Sequence, residues 1–267
     1  MKNTILLLLL LNASVALGAN EVPNGSFEQW NNCISDFPSN YPYSSNESRF
    51  YVDGLMPNVT QSTDAYHGSF ALKLVSDTLS EENGFAYLLN VDPKDSGLDQ
   101  WTGGMPVTEK PTGIQGYYKY SCQMPDSALI IVTFSKEATS LGSYFFYLTE
   151  KSETYKAFNF VFDPALQETP DSMCLGFASS DAMSESLVHG SILLLDSIKL
   201  SGLSQQPEQL NGDFEQWSVD SFRKPFEWEI SDGYRPGDYL SQDAYEGQFA
   251  LSLTSYAGYD SWDQFFI

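Results

Sequence analysis

Apolar and polar side chains alternate in short bursts along most of this chain. Phe70, Leu72 and Leu74 alternate with Ser69, Ala71 and Lys73; Phe249, Leu251 and Leu253 repeat the pattern, and Phe158, Phe160 and Phe162 do likewise. A period of two sends successive side chains to opposite faces, so each burst predicts a half-buried β-strand. Residues 129–134 and 144–148 are apolar on both phases and predict strands covered on both faces. Clusters of Gly, Pro, Asn, Asp and Ser separate these runs, and no stretch keeps a helical period. Many short strands over roughly 180 residues, with no helices between them, predict an all-β fold, a sandwich or barrel.

The pattern also repeats at the level of motifs. Residues 24–30, Asn-Gly-Ser-Phe-Glu-Gln-Trp, return 187 positions later as residues 211–217, Asn-Gly-Asp-Phe-Glu-Gln-Trp. Residues 62–74, from Ser62-Thr63-Asp64-Ala65-Tyr66-His67-Gly68 to Leu74, return 179 positions later as residues 241–253. Two paired landmarks in the same order predict one module over residues 20–202, a short polar linker over 203–210, and the start of a second copy over 211–267. The second copy has 57 residues, too few for a strand-rich unit to bury the surface that offsets its ordering entropy. The expectation is a module cut short. In the alternative, residues 211–267 pack onto the first module as extra strands.

Residues 1–18 have the layout of a secretory signal: Lys2, an apolar run over residues 5–11, then Ala16-Leu17-Gly18. That run is too short to span a membrane, and no later segment approaches the needed length. Export predicts a secreted or cell-surface protein with no membrane insertion, unless sequence beyond residue 267 attaches it to the surface. Acids outnumber Lys plus Arg by 35 to 13, which argues against nucleic acid or an anionic membrane as partner. Three cysteines, Cys33, Cys122 and Cys174, allow at most one disulfide and no disulfide framework. Asn46-Glu47-Ser48 and Asn58-Val59-Thr60 match the glycosylation pattern.

Asp196 is the first candidate for chemistry. Within the strand at residues 192–200, alternation puts it in phase with Ile192, Leu194, Ile198 and Leu200. A carboxylate on an apolar face is costly without a cation or several donors. It is therefore a candidate metal ligand, or else a bulge or salt bridge relieves it.

Taken together, Asn-Gly-x-Phe-Glu at the start, Asp64-to-Leu74 in the middle and Leu193-Leu194-Leu195-Asp196-Ser197-Ile198 near the end resemble jelly-roll carbohydrate-binding modules. Residues 111–120, Pro-Thr-Gly-Ile-Gln-Gly-Tyr-Tyr-Lys-Tyr, look more specifically like the family called the putative carbohydrate metabolism domain, found in exported proteins of polysaccharide-using Gram-negative bacteria. The resemblance implies a jelly-roll β-sandwich and a polysaccharide or glycan partner. It also implies a structural Ca²⁺ held by Glu28, Asp64 and Asp196, with backbone carbonyls near Ser26 and His67 completing the shell. Oxygen ligands at high coordination suit calcium rather than zinc. In the second copy Glu215 and Asp243 match Glu28 and Asp64.

Catalytic sets are poorly represented. The two histidines, His67 and His189, sit beside glycines outside any nucleophile motif, and no zinc spacing or phosphate loop occurs. A glycosidase needs two carboxylates at a defined separation across a sugar. The repeated acids read instead as framework, and Glu227 and Glu229, beside Trp228, lie in the incomplete copy. Aromatics make up 15% of the chain, and flat rings in polar loops are platforms for the C–H faces of sugars. Tyr41, Tyr43 and Trp101 are the loop candidates, while Trp30 and Trp217 read as core. The sequence thus points to a non-catalytic carbohydrate-binding or adhesive module. The alternatives are a glycoside hydrolase with paired carboxylates in an aromatic groove, or a surface stalk without glycan affinity.

Overall fold

The computed structural model describes residues 22–49, 56–77, 86–91, 104–122, 126–184, 190–230, 239–253 and 265–266. The signal-like segment 1–18 and Trp101 lie outside them. The first strands are β1 (Trp30–Pro38), β2 (Tyr43–Ser44), β3 (Val59–Ser62), β4 (Ala71–Val75), β5 (Tyr87–Leu89) and β6 (Met105–Pro106). The central ones are β7 (Gly113–Ser121), β8 (Ala128–Lys136), β9 (Thr139–Leu148), β10 (Ser152–Val161), β11 (Ser172–Ala178) and β12 (Ile192–Ser201). Then come β13 (Trp217–Pro225), β14 (Glu229–Ile230), β15 (Leu240–Ser241), β16 (Ala250–Leu251) and β17 (Phe265–Phe266). The one α-helix among the described residues is the single turn α1 (Asn46–Arg49).

Two antiparallel sheets face each other as a jelly-roll β-sandwich. One has the order β10-β7-β12-β4-β3 and the other β2-β5-β11-β8-β9, with β6 also on β11. In β7 the side chains alternate: Ile114, Tyr118 and Tyr120 point into the core, while Gln115, Tyr117 and Lys119 point outward. β8 is buried along nearly its whole length, its second face covered by Tyr87 and Phe145 over Leu129 and Ile131. Tyr147 in β9 is exposed, so that strand is covered on one face only.

The repeated motifs adopt the same local structure. In each, the Asn side chain closes a loop on the Gln five residues later: Asn24 Nδ2 donates to Gln29 O (2.8 Å) and Asn211 Nδ2 to Gln216 O (2.8 Å). The ring N–H of each Trp donates to the Phe carbonyl three residues back, at 2.5 Å in both copies. Asn24, Phe27, Asn211 and Phe214 all have positive φ.

Their docking is reciprocal. The second motif, not the first, plugs the first sandwich. Leu210 and Phe214 are members of its main core, Phe214 is fully buried, and Gly212 O accepts from Ile198 N of β12 at 2.7 Å. The first motif lies against the second half of the chain, with Trp30, like Leu251, packed on Tyr239, and Asn24 Nδ2 donating to Phe226 O. Between the two motifs β1 and β13 pair antiparallel, from Trp30 opposite Pro225 to Pro38 opposite Trp217. Ile34 faces Ser221, its own equivalent 187 positions on, so a local pseudo-twofold axis passes between them. β15 and β16 reproduce the register of β3 and β4: Leu240 faces Leu251 as Gln61 faces Leu72.

Residues 203–210 are bound along the first sandwich rather than forming a free linker: Leu203 packs on its core, Gln206 brackets both backbone groups of Leu200, and Ser204 bonds Glu109. Cys122 and Cys174 are buried and not joined in a disulfide, and the side chain of Cys33 lies outside the described set. Asn46 and Asn58 are buried and hydrogen-bonded to the chain around residues 45–59, so neither glycosylation triplet presents an open amide.

Removing the Phe214 plug creates a core cavity, so Phe214→Ala lowers unfolding free energy by about 3–5 kcal/mol. Phe27→Ala, at the half-buried equivalent position, costs less; urea denaturation of both variants checks the difference.

Candidate functional site

The segment 62–70 between β3 and β4 folds over the outer face of β12. Asp196 lies beneath it, fully buried, and its Oδ2 accepts from the backbone N–H groups of Tyr66 (2.7 Å) and His67 (3.0 Å). The phase read from sequence needs correction. Leu193 and Leu195 face the core, so Asp196 points outward with Ile192 and Leu194. A bulge at Ser197, whose φ is +54°, then returns Ile198 and Leu200 to the inside. Asp196 is thus relieved by donors rather than stranded on an apolar face.

A second carboxylate holds the same loop three residues further on. Glu215 Oε1 accepts from Ser69 N (2.7 Å) and Phe70 N (2.9 Å). It passes directly over Gly68, where a Cβ would lie 2.2 Å from the carboxylate oxygen and where φ is +79°. Both facts require glycine. Glu28 makes the mirror contact, accepting from Gln248 N and Phe249 N above Gly247. The two sequence echoes are therefore plug and receptor of one lock, used twice and crossed between the halves.

The predicted calcium ligands are not gathered. Glu28 is at the other lock, on residues 247–249, and Ser26 accompanies it in the turn of the first motif. Asp64 instead grips Lys119 with both oxygens at 2.7 Å. The atoms facing Asp196 and Glu215 are mainly N–H donors, and the exposed His67 contributes its amide to Asp196. Among the described residues no three His, Cys, Asp or Glu side chains converge as a metal site.

Of the predicted aromatic platforms, Tyr41 is fully buried in the core, its hydroxyl donating to Leu210 O at 2.9 Å, so it is not a loop platform. Tyr43 is half-buried on the other sheet beside Tyr87.

The open aromatic surface is elsewhere, on the outer face of β10, β7 and β12. Tyr66 lies flat on Tyr117, ring centroids 3.5 Å apart and planes 13° from parallel, and Tyr155 meets Tyr66 edge-on. The Tyr155 hydroxyl donates to Asp64 O, and Lys119 Nζ lies 4.8 Å from the Tyr155 ring centre. Next to this stack, Asn159, Gln115 and Lys199 lie side by side in register across the three strands, all exposed. Residues 206–216 run alongside as a wall. The result is an open groove of about 700 Å³, with Tyr66, Tyr117, Asp213 and Gln216 among its lining residues. The sequence held one signal for it, the outward phase of Gln115, Tyr117 and Lys119, but their neighbours come from distant strands.

Burial pushes the Tyr155 hydroxyl well above the ordinary tyrosine range, and those of the core residues Tyr41 and Tyr120 likewise. Tyr66 is raised chiefly by the hydrogen bond it shares with Tyr117.

No family model and no curated protein matches the chain. Among solved structures it is similar to a "putative glycoside hydrolase" from Bacteroides thetaiotaomicron, at 15% identity and TM-score 0.45, over 61% of this chain and 63% of that one. It is also similar to a family 16 carbohydrate-binding module, at 16% identity and TM-score 0.32 over 54% and 84% of the chains. A family 11 carbohydrate-binding module from Clostridium thermocellum matches at 10% identity and TM-score 0.34, over 66% and 92%. At these scores the likeness is loose, and the fold assignment rests on the strand order and register described above.

Two outcomes follow from the carboxylate and the tyrosines. Asp196→Ala strands two amides beneath the 62–70 loop and costs about 2–4 kcal/mol in urea unfolding. The folded chain keeps protons on Tyr41, Tyr120 and Tyr155 that the unfolded chain releases. Stability is therefore unaffected by them below about pH 10 and falls as pH rises above it, read as a urea midpoint that declines once the pH passes about 10.

Proposed function

We propose that the protein binds carbohydrate, without catalysis, in the groove on the outer face of β10, β7 and β12. The observation behind this reading is the pairing of a flat tyrosine stack with a row of side-chain amides and an ammonium in one open concavity. Sugars combine apolar C–H faces with a dense set of hydroxyls. A groove of this size, partly aromatic and partly lined by amide donors and acceptors, matches both properties. Tyr66 supplies the platform, while Gln115, Asn159 and Gln216 exchange hydrogen bonds with hydroxyls. An open groove suits a glycan chain passing through it better than a small enclosed ligand.

The non-catalytic part of the reading rests on the acids. Asp196, Glu215, Glu28 and Asp64 are engaged with backbone amides or with Lys119, as framework. Glu208 and Asp213, which line the groove, belong to the wall segment. A secreted or cell-surface location, as the signal-like leader suggests, would put such a groove within reach of polysaccharide. Structural calcium is no part of this proposal.

Affinity electrophoresis of the full chain in gels containing soluble β-glucan, xylan, galactan or mannan tests the reading. One glycan class retards the protein, and Tyr66→Ala or Asn159→Ala weakens the retardation about tenfold, or ~1.4 kcal/mol. Retardation unchanged by either variant rejects this groove. Release of reducing ends that Asp213→Asn abolishes would make the protein a hydrolase instead.

A further inference from the structure

The groove and the exchanged segment are one device. Resting on the carbohydrate reading above, we infer that Glu215 is a positioning residue for the groove: it sets the aromatic platform from a segment belonging, by sequence, to the other half of the chain. Tyr66 stands on the 62–70 loop, which is clamped at two points. Asp196 holds its middle through the Tyr66 and His67 amides, and Glu215 holds its end through Ser69 and Phe70. The same segment that carries Glu215 also forms the facing wall, through Gly212, Asp213 and Gln216. Glu215 is the side chain that ties the end of the platform loop directly to the segment carrying the wall. The distance between them, and with it the fit of a glycan, depends on the docking of residues 211–217. Binding in the groove and docking of that segment are linked: whatever favours one favours the other.

The molecule contains its own control. Glu28 makes the same two amide contacts at the crossed lock, to Gln248 and Phe249, and it does not line the groove. A purely structural role for these glutamates predicts equal consequences at both. A positioning role predicts a difference. Tyr245, the counterpart of Tyr66 on the second loop, is fully exposed and has no ring contact among the described residues.

The experiment compares full-length Glu215→Ala, Glu215→Gln and Glu28→Ala, with melting temperature measured alongside. The affinity for the polysaccharide that retards the wild type drops about tenfold or more in Glu215→Ala, stays within about threefold in Glu215→Gln, which keeps an acceptor oxygen, and within about twofold in Glu28→Ala. Equal weakening by Glu215→Ala and Glu28→Ala, or no weakening by Glu215→Ala, overturns the inference. Hydrogen exchange on the ligand-free proteins separates this claim from the carbohydrate reading. Peptides covering residues 62–70 exchange faster in Glu215→Ala and at the wild-type rate in Glu28→Ala. If no polysaccharide is bound but that exchange pattern holds, the carbohydrate reading fails while Glu215 still sets the loop. Identical exchange in all three proteins overturns the positioning role itself.

Discussion

A glutamate carboxylate laid across two successive backbone amides, above a glycine that has no room for a side chain, is the contact on which this architecture turns. Each amide would otherwise be an unsatisfied donor at a tight turn, and charged acceptors make the stronger class of hydrogen bond. The glycine is fixed twice over, by its positive φ and by the approach of the oxygen. The Asn and Phe of each motif, also at positive φ, present the glutamate at the right angle, and in the second motif the Phe214 side chain fills the first sandwich's core behind it. Hydrophobic burial, backbone satisfaction and loop shape are settled in one place. The groove follows from it, because both the tyrosine-bearing loop and the opposite wall meet there.

Much of the fold was legible in the chain. Period-two alternation in residues 70–74 and 113–121 gives the buried and open faces as found, and the doubly apolar run at 129–134 is the covered strand β8. What alternation cannot register is an inserted residue. Ser197 takes a left-handed conformation in β12, and every side chain before it changes face relative to the expectation. That single bulge moves Asp196 from a supposed apolar surface to the underside of a loop. Tyr41 misled for a different reason: its neighbours are polar, yet its ring lies between Phe177 and Phe214, the latter nearly 175 residues away in sequence.

The repeat was visible at once, but its meaning was not. Identical motifs satisfy identical receptors, so sequence cannot distinguish a glutamate that locks its own half from one that locks the other. The difference lies in chain path, set by the antiparallel pairing of β1 with β13 about Ile34 and Ser221. The groove was hidden similarly. Gln115, Asn159 and Lys199 become neighbours only when three strands are placed in order, and each alone is an ordinary outward residue.

The crossing also puts the unit of inheritance out of step with the unit of folding. A gene cassette carrying residues 20–202 looks like a whole module, since it begins and ends where the repeat does. It would deliver a receptor without its plug and a plug without its receptor. A cassette that keeps plug and receptor together instead has its break points just after the paired strands, near residues 38–39 and 225–226.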